Sequence, residues 1–328
     1  MVNLMSNRNT ILILIFIACL AGWFGRGFYS SRFSGEDQSV IQLRENSNEN
    51  KFINPLILVA DNRQLGSEEY ADLKAELDDY VDKKSNGTGI EKISVYFRDL
   101  NSGDWIGINE EEKYAPSSML KVSTMMALLK LADRDSKVLL QKVYYEPTNI
   151  SGQFYQPQQL TAGSYTTKEL LQQMIIESDN DAMKALHKLY ADELQQIYKD
   201  LDLPSFLSED QDFMSPRFYS RFFRTFYNGS YISHFYSDEA LELLTFTHFD
   251  GGLLGGVKSG TTVAHKFGEF TETLDGVVIK RELHDCGIVY YPERPYFICV
   301  MTEGQEFVVL EEVIRTISKI TFDYMGRM

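Results

Sequence analysis

Basic residues are scarce in this sequence: 32 Lys and Arg stand against 47 Asp and Glu, for a net charge of −15. A nucleic-acid surface needs a basic stripe to displace counterions, so that class of partner is excluded. Any polyanionic substrate would have to be met by local basic residues. There are only 3 cysteines, with no CxxC pair, and no His/Glu spacing suggests a metal. No cofactor is expected. Internal repeats are missing as well. What remains is an ordinary apolar share of 44%, with 13% aromatics, enough for a real core in 328 residues.

Long apolar runs are missing except at the start. Ile11 to Phe24 is apolar throughout and follows a polar stretch with Arg8. Its length, about 14 residues, suits the core of a signal peptide. Reading on to Tyr29 gives about 19 residues with Arg26 alone charged, enough to span ~30 Å of hydrocarbon. Phe16 to Cys19 is also a weak lipobox-like string. An uncleaved anchor over residues about 10–29 is the favoured reading, beside a cleaved signal or a lipidated Cys19. Each would export the rest of the chain to the cell envelope. Arg26 and Arg32 run against the positive-inside rule, so orientation stays open. Residues 30–66, rich in Asn, Ser, Glu and Gln, read as a tether, with Ile53 to Ala60 as a short docked strand.

Cys286 and Cys299 flank a hairpin-like stretch. If its turn centres on Pro292-Glu293, they face each other across two antiparallel strands, at a separation that a disulfide accepts. Two reduced core cysteines fit the sequence equally and are the commoner case.

The folded part is expected from Ser67 to Met328. Ser67 opens an amphipathic helix to about Lys84, with Tyr70, Leu73, Leu77, Tyr80 and Val81 on one face. Ile93–Arg98 and Trp105–Ile108 read as strands joined by a turn at Asn101-Ser-Gly-Asp104. Helices are expected from Ser118 to Asp133, Thr167 to Glu177, Asn180 to Tyr190, Pro216 to Tyr227 and Ser237 to Phe246. Strands follow at Val263–Thr271, Leu283–Tyr290 and Tyr296–Met301, and a helix from about Glu306 to Tyr324 closes the chain. This order predicts an α+β fold, an antiparallel sheet of about five strands flanked by the terminal helices. A helical subdomain, about residues 134–250, is inserted. A cleft between two such parts is a common ligand site.

Three short motifs carry candidate chemistry. Ser118 and Lys121 are i and i+3, so they share a helical face. Ser118 falls in the first turn, where free N–H groups favour negative charge. A serine hydroxyl needs a neighbour to take its proton, and a buried lysine can do so. Taken alone, the pair is equally an N-cap serine with a surface lysine. Ser178-Asp179-Asn180 lies between two helices: Ser178 can relay a proton, Asn180 can hold the lysine and a substrate carbonyl, and Asp179 can cap the second helix. Taken alone, the triplet reads more simply as a helix cap. Lys266, two residues before Gly268 on a strand, can meet a carboxylate where the glycine lets substrate lie close. Lys258-Ser259-Gly260 matches a Lys-Ser-Gly pattern better by letter, but sits in a Gly-rich stretch; the strand-like flanks Val263 and Phe270 favour Lys266.

Together these motifs, in this order and with SDN about sixty residues after SxxK, resemble the class A β-lactamases and penicillin-binding proteins. The resemblance covers roughly Ser67 to Met328. It implies an acyl-enzyme on Ser118, with Lys121 as base, Ser178 as proton relay and Lys266 on a substrate carboxylate. The backbone N–H groups of Ser118 and Glu269, next to Gly268, would form the oxyanion hole. The implied substrate is a β-lactam or a peptidoglycan stem peptide, and the implied state a monomer.

The sequence also departs from the family. Class A enzymes carry Glu-x-x-x-Asn after SDN, where the glutamate activates the deacylating water. Leu201 to Pro216 is too short for that loop by about fifteen residues; it offers Glu209, Asp210 and Asp212 with no asparagine at the right spacing. Phe267 replaces a hydroxyl residue, and Glu269 is an unusual neighbour for an anionic substrate. Three readings follow: a β-lactamase-like hydrolase, a penicillin-binding-type D-Ala-D-Ala peptidase, or a non-catalytic envelope binding module. Phe154, Tyr155 and Tyr165 are candidates for an aromatic lip, though core or loop packing is the simpler expectation. His187, His234, His248, His265 and His284 are expected to be structural.

Overall fold

A computed structural model describes residues 41–44, 51–60, 69–85, 89–148, 153–200 and 214–328. The expected anchor and Glu209, Asp210 and Asp212 lie outside the described residues, as does most of the tether. Two short strands, β1 (Ile41–Arg44) and β2 (Leu56–Ala60), pair with each other. Between them Phe52 and Ile53 are buried, and their backbone N–H groups donate to Asp238.

Helix α1 (Ala71–Ser85) starts a few residues later than expected and leads to β3 (Ile90–Asp99) and β4 (Trp105–Ile108). Three long strands, β7 (Val263–Leu274), β8 (Val277–Val289) and β9 (Tyr296–Gly304), complete one antiparallel sheet in the order β4-β3-β9-β8-β7. The fold is therefore the expected α+β arrangement. The strands β5 (Lys142–Tyr145) and β6 (Gly163–Thr166) form a separate pair that the sequence did not suggest.

Strand alternation divides the apolar residues between two cores. Val95, Phe97, Ile298 and Val300 pack on one face against α1 and the closing helix, through Leu73, Leu77, Leu310, Val313 and Ile317. Tyr96, Phe297, Cys299 and Met301 point the other way, into a helical layer. Every residue of β9 is buried, as expected for a central strand covered on both sides.

The helical layer holds α2 (Leu120–Arg134), α3 (Thr167–Ile176), α4 (Asn180–Leu189), α5 (Ala191–Asp200), α6 (Pro216–Tyr227) and α7 (His234–Leu244). Helix α2 is buried on nearly all sides, through Val122, Met125, Met126, Leu128 and Leu129. Helix α7 begins three residues before the expected Ser237, because the Ser233 hydroxyl caps it, accepting from Tyr236 N–H. The short α8 (Leu253–Gly256) and long α9 (Phe307–Met325) finish the chain.

Strands β7 and β8 run further than their apolar residues indicate. Asp275 and Gly276, at φ 52° and 79°, form the two-residue turn that joins them, and such turns require left-handed backbone. Cys286 and Cys299 stand directly opposite each other in β8 and β9 and are joined by a disulfide, Cα to Cα 3.9 Å. Replacing both cysteines with alanine should lower stability by about 2–3 kcal/mol, the usual effect for a loop of this size. The urea midpoint of the double variant measures it.

Candidate active site

The turn that carries Ser118 is held before it reaches α2. Ala115 N–H donates to the Glu282 carboxylate at 3.0 Å, and His284 Nε2 lies 3.2 Å from Ala115 O. Both clamps come from β8. Ser117 then adopts φ 46°, a left-handed conformation that costs a non-glycine residue roughly 1–2 kcal/mol. A 3₁₀ turn, Ser117–Met119, follows, closed by Met119 N–H donating to Pro116 O at 2.8 Å. Ser118 therefore sits in a 3₁₀ turn ahead of α2, not in the first α-turn as the sequence suggested. The i, i+3 contact survives, with Lys121 in the first turn of α2 still reaching Ser118.

Lys121 has no exposed surface, and its Nζ lies 2.5 Å from Ser118 Oγ. The same Nζ donates to Asn180 Oδ1 at 2.6 Å. Burial strips water from the ammonium and lowers its pKa to about 7, against the opposing pull of Asp179 and Glu269.

Asn180 is placed by the junction of α3 and α4. Ser178 takes φ 56°, a second left-handed residue, and turns the chain sharply. Asp179 locks the turn: one carboxylate oxygen caps α4 by accepting from Asp181 and Ala182 N–H at 2.8 and 3.1 Å. The other accepts from Tyr145 OH at 2.7 Å and Gln173 Nε2 at 3.0 Å. The cap expected from the sequence is there, with two further side chains tied to it.

Strand β7 supplies the third motif. Lys266, fully buried, donates to Ser178 Oγ at 2.8 Å and to Phe267 O at 3.0 Å, and its Nζ lies 4.1 Å from the centre of the Phe267 ring. Burial and the nearby Lys121 hold its pKa well below the usual lysine range. Gly268 lets β7 touch the Ser118 turn: a Cβ there would meet Met119 Cγ at 2.9 Å and Pro116 O at 3.3 Å. The rival Lys258 is exposed in a loop before β7.

Ser118, Ser178, Asn180, Phe267 and Glu269 line one small cleft of about 180 Å³, with Tyr155 at its edge. Glu269 accepts from Phe154 N–H at 2.8 Å and Tyr155 N–H at 3.3 Å; burial raises its pKa, and those two donors oppose the rise. Glu177 holds the same segment, accepting from Tyr155 OH at 3.2 Å and Gln158 N–H at 3.1 Å, and pairs with His248 at 2.8 Å. Of the aromatic lip, Tyr155 is at the cleft, whereas Tyr165 packs on Tyr145 and bonds Thr161. His187 lies against Thr124 Oγ1 at 2.9 Å, and burial lowers its pKa to about 4. His265 and Asp285 form a buried pair at 2.9 Å, and Asp285 also accepts from Leu253 N–H at 2.8 Å. Among the described residues, no group of His, Cys, Asp or Glu could hold a metal ion.

The family model described as "Beta-lactamase enzyme family" matches residues 72–325. The chain belongs to this family. No curated protein matches it by sequence. Among solved structures, PBP-A is similar at TM-score 0.64 and 20% identity, over 79% of this chain and 97% of that one. A mutant of PBP-A, described as an acyl-enzyme complex with penicillin G, matches at the same TM-score and identity over 78% of this chain and 97% of its own. A class A β-lactamase from Bacteroides cellulosilyticus is similar at TM-score 0.65 and 19% identity, over 78% of this chain and 99% of that one. Membership of this family makes a β-lactamase-like hydrolase the general reading of the chain, and the solved structures share its fold.

Two outcomes follow from this geometry. If Lys121 must be unprotonated to act, modification of Ser118 by an acylating reagent should fall as pH drops, with an apparent pKa near 7. A pH–rate profile tests this. Gly268→Ala should slow that modification at least about tenfold, because β7 must move off the Ser118 turn. Stopped-flow or timed mass spectrometry reads the rate.

Proposed function

We propose that the chain is a serine hydrolase that forms an acyl-enzyme on Ser118 with a β-lactam or related amide. The observation that carries this reading is the 2.5 Å contact between Ser118 Oγ and the buried Lys121 Nζ at a cleft. In the first half-reaction Ser118 Oγ bonds to the carbonyl carbon while its proton passes to Lys121. The developing oxyanion accepts from the backbone N–H groups of Ser118 and Glu269, each donor worth roughly 3–4 kcal/mol in comparable sites. As the C–N bond breaks, the proton reaches the leaving nitrogen through Ser178 Oγ. In the second half, water adds to the ester, Lys121 takes its proton, and that proton returns to Ser118 Oγ as the ester bond breaks. Asn180 keeps Lys121 aimed, and Lys266 holds Ser178.

A second reading, a D-Ala-D-Ala peptidase acting on peptidoglycan, is supported by the carboxylates at hand. Among the described residues lining the cleft, Glu269 alone is a carboxylate, and its two oxygens already accept backbone bonds. If Glu209, Asp210 and Asp212, outside the described residues, take no part, deacylation would be slow, which is no defect in a peptidase that meets lactams as inhibitors. On either reading we place the domain outside the cytoplasm, tethered through residues about 10–29.

Intact-mass measurements over hours, with a panel of β-lactams and a fluorophosphonate probe, test the proposal. One adduct per chain is expected, absent in Ser118→Ala and formed at least ~10²-fold more slowly in Lys121→Met. Quick release of the lactam adduct supports a β-lactamase, and persistence supports the peptidase. No adduct with any reagent sinks the serine reading.

A further inference from the structure

The cleft carries the wrong charge for the carboxylate that the family resemblance leads one to expect. Neither lysine lines it. Lys266 has no exposed surface, and its donors go to Ser178 Oγ and Phe267 O while its Nζ covers the Phe267 ring. The next position is Phe267, whose ring stacks on Phe249 at 4.4 Å and meets the edge of Tyr155 at 5.0 Å. It offers no hydroxyl. Beyond it on the same strand, Glu269 faces the cleft and is anchored by Phe154 and Tyr155 N–H, so it is held in place rather than free to swing away. On the far side of Tyr155 a hollow of about 360 Å³ is lined by Asp250 and Glu311, with His248 paired to Glu177. A carboxylate entering along β7 would thus meet aromatic rings and the Glu269 carboxylate; Gln153 and Thr271 also line the cleft but are neutral donors, and no cationic side chain lines it to offset the repulsion.

We infer that Glu269 sets the substrate class: the site accepts acyl donors that present an uncharged or cationic group, not a carboxylate, to the β7 side of the cleft. This rests on Ser118 forming the acyl-enzyme, and it turns that reading away from a D-Ala-D-Ala terminus, which ends in a carboxylate, toward other amides or esters. Labelling by penicillins, which carry a carboxylate, is slow on this account. An ammonium group is the better match, since it gains both the carboxylate of Glu269 and the nearby aromatic rings.

The test uses three thioesters of one acyl group whose leaving thiol ends in a carboxylate, a carboxamide or an ammonium. Ser118 Oγ bonds to the acyl carbon, the C–S bond breaks, and the thiol leaves with the serine proton. The ammonium and carboxamide esters should exceed the carboxylate ester in kcat/KM by at least about tenfold. Glu269→Gln should shrink that gap from both ends, slowing the ammonium ester and speeding the carboxylate ester. Should that variant fold poorly, ionic strength serves on the unaltered protein: rising salt should bring the charged pair of esters together. A carboxylate ester that reacts fastest, with no response to Glu269→Gln or to salt, overturns the inference while leaving the acyl-enzyme intact. Failure of all three esters to form an adduct on Ser118 overturns the acyl-enzyme reading and this inference with it.

Discussion

Two buried amines, a few ångströms from a serine hydroxyl and with little formal charge to answer them, set the terms for this fold. An ammonium removed from water is costly unless it is paired or gives up its proton. The nearest partners of Lys121 and Lys266 are a hydroxyl each, one amide oxygen and one backbone carbonyl. Burial among these neutral acceptors lowers the pKa of both amines, and a general base must be free of its proton near the working pH. The site's reactivity and its cost to stability therefore have the same origin: the packing of α2, α4 and β7 that excludes water from both lysines.

That packing needs close approach, and the chain accepts local strain to obtain it. Ser117 and Ser178, both non-glycine residues in left-handed backbone, sit at the two turns that deliver the hydroxyls. Such conformations persist where surrounding bonds over-determine them. At the first turn Glu282 and His284 hold Ala115, and at the second Asp179 gathers four donors. The buried acids and histidines of β8, which look out of place in a central strand, hold neighbouring segments: Asp285 holds Leu253, and Glu282 and His284 hold the Ser118 turn.

What could be read from the sequence was whatever works over short separations. The three-residue spacing of Ser118 and Lys121, the cap at Asp179 and the apolar strand at Tyr296–Met301 depend on neighbours, and each could be inferred from residue type and position. Lys266 lies on a strand and Lys258 in an exposed loop, as the strand-forming flanks indicate; the letters of the motif do not say which lysine is fixed. The clamps were hidden because each joins residues far apart in the chain: Glu282 to Ala115, Glu269 to Phe154, Glu177 to Tyr155. A glutamate just before Ser178 or just after Gly268 gives no local sign of the loop it will grip. The 3₁₀ start of α2 was missed for a related reason, since it follows from Ser117's backbone and not from helix propensity. The Cys286–Cys299 pairing was open because opposed cysteines in a buried hairpin serve equally well as apolar filling.

The same division between local and distant constraint explains how a chain about 20% identical to its structural neighbours keeps their fold. Core positions require apolar volume with the right period, a condition many residues satisfy. Ser118 and Lys121 are bound more tightly by geometry, because a displacement of about 1 Å would separate them. The β7 side chains that line the cleft answer to the packing beside them. Phe267 and Glu269 can differ from the family pattern without disturbing the sheet, since one fills an aromatic stack and the other bonds a loop. On the proposed reading, exchanging a hydroxyl for a ring and placing a carboxylate at the mouth would leave the chemistry of Ser118 available but change the charge that a substrate must bring. On that reading the fold and Ser118 would identify a class of reaction, and the side chains of β7 beyond Lys266 would decide which molecules enter the site.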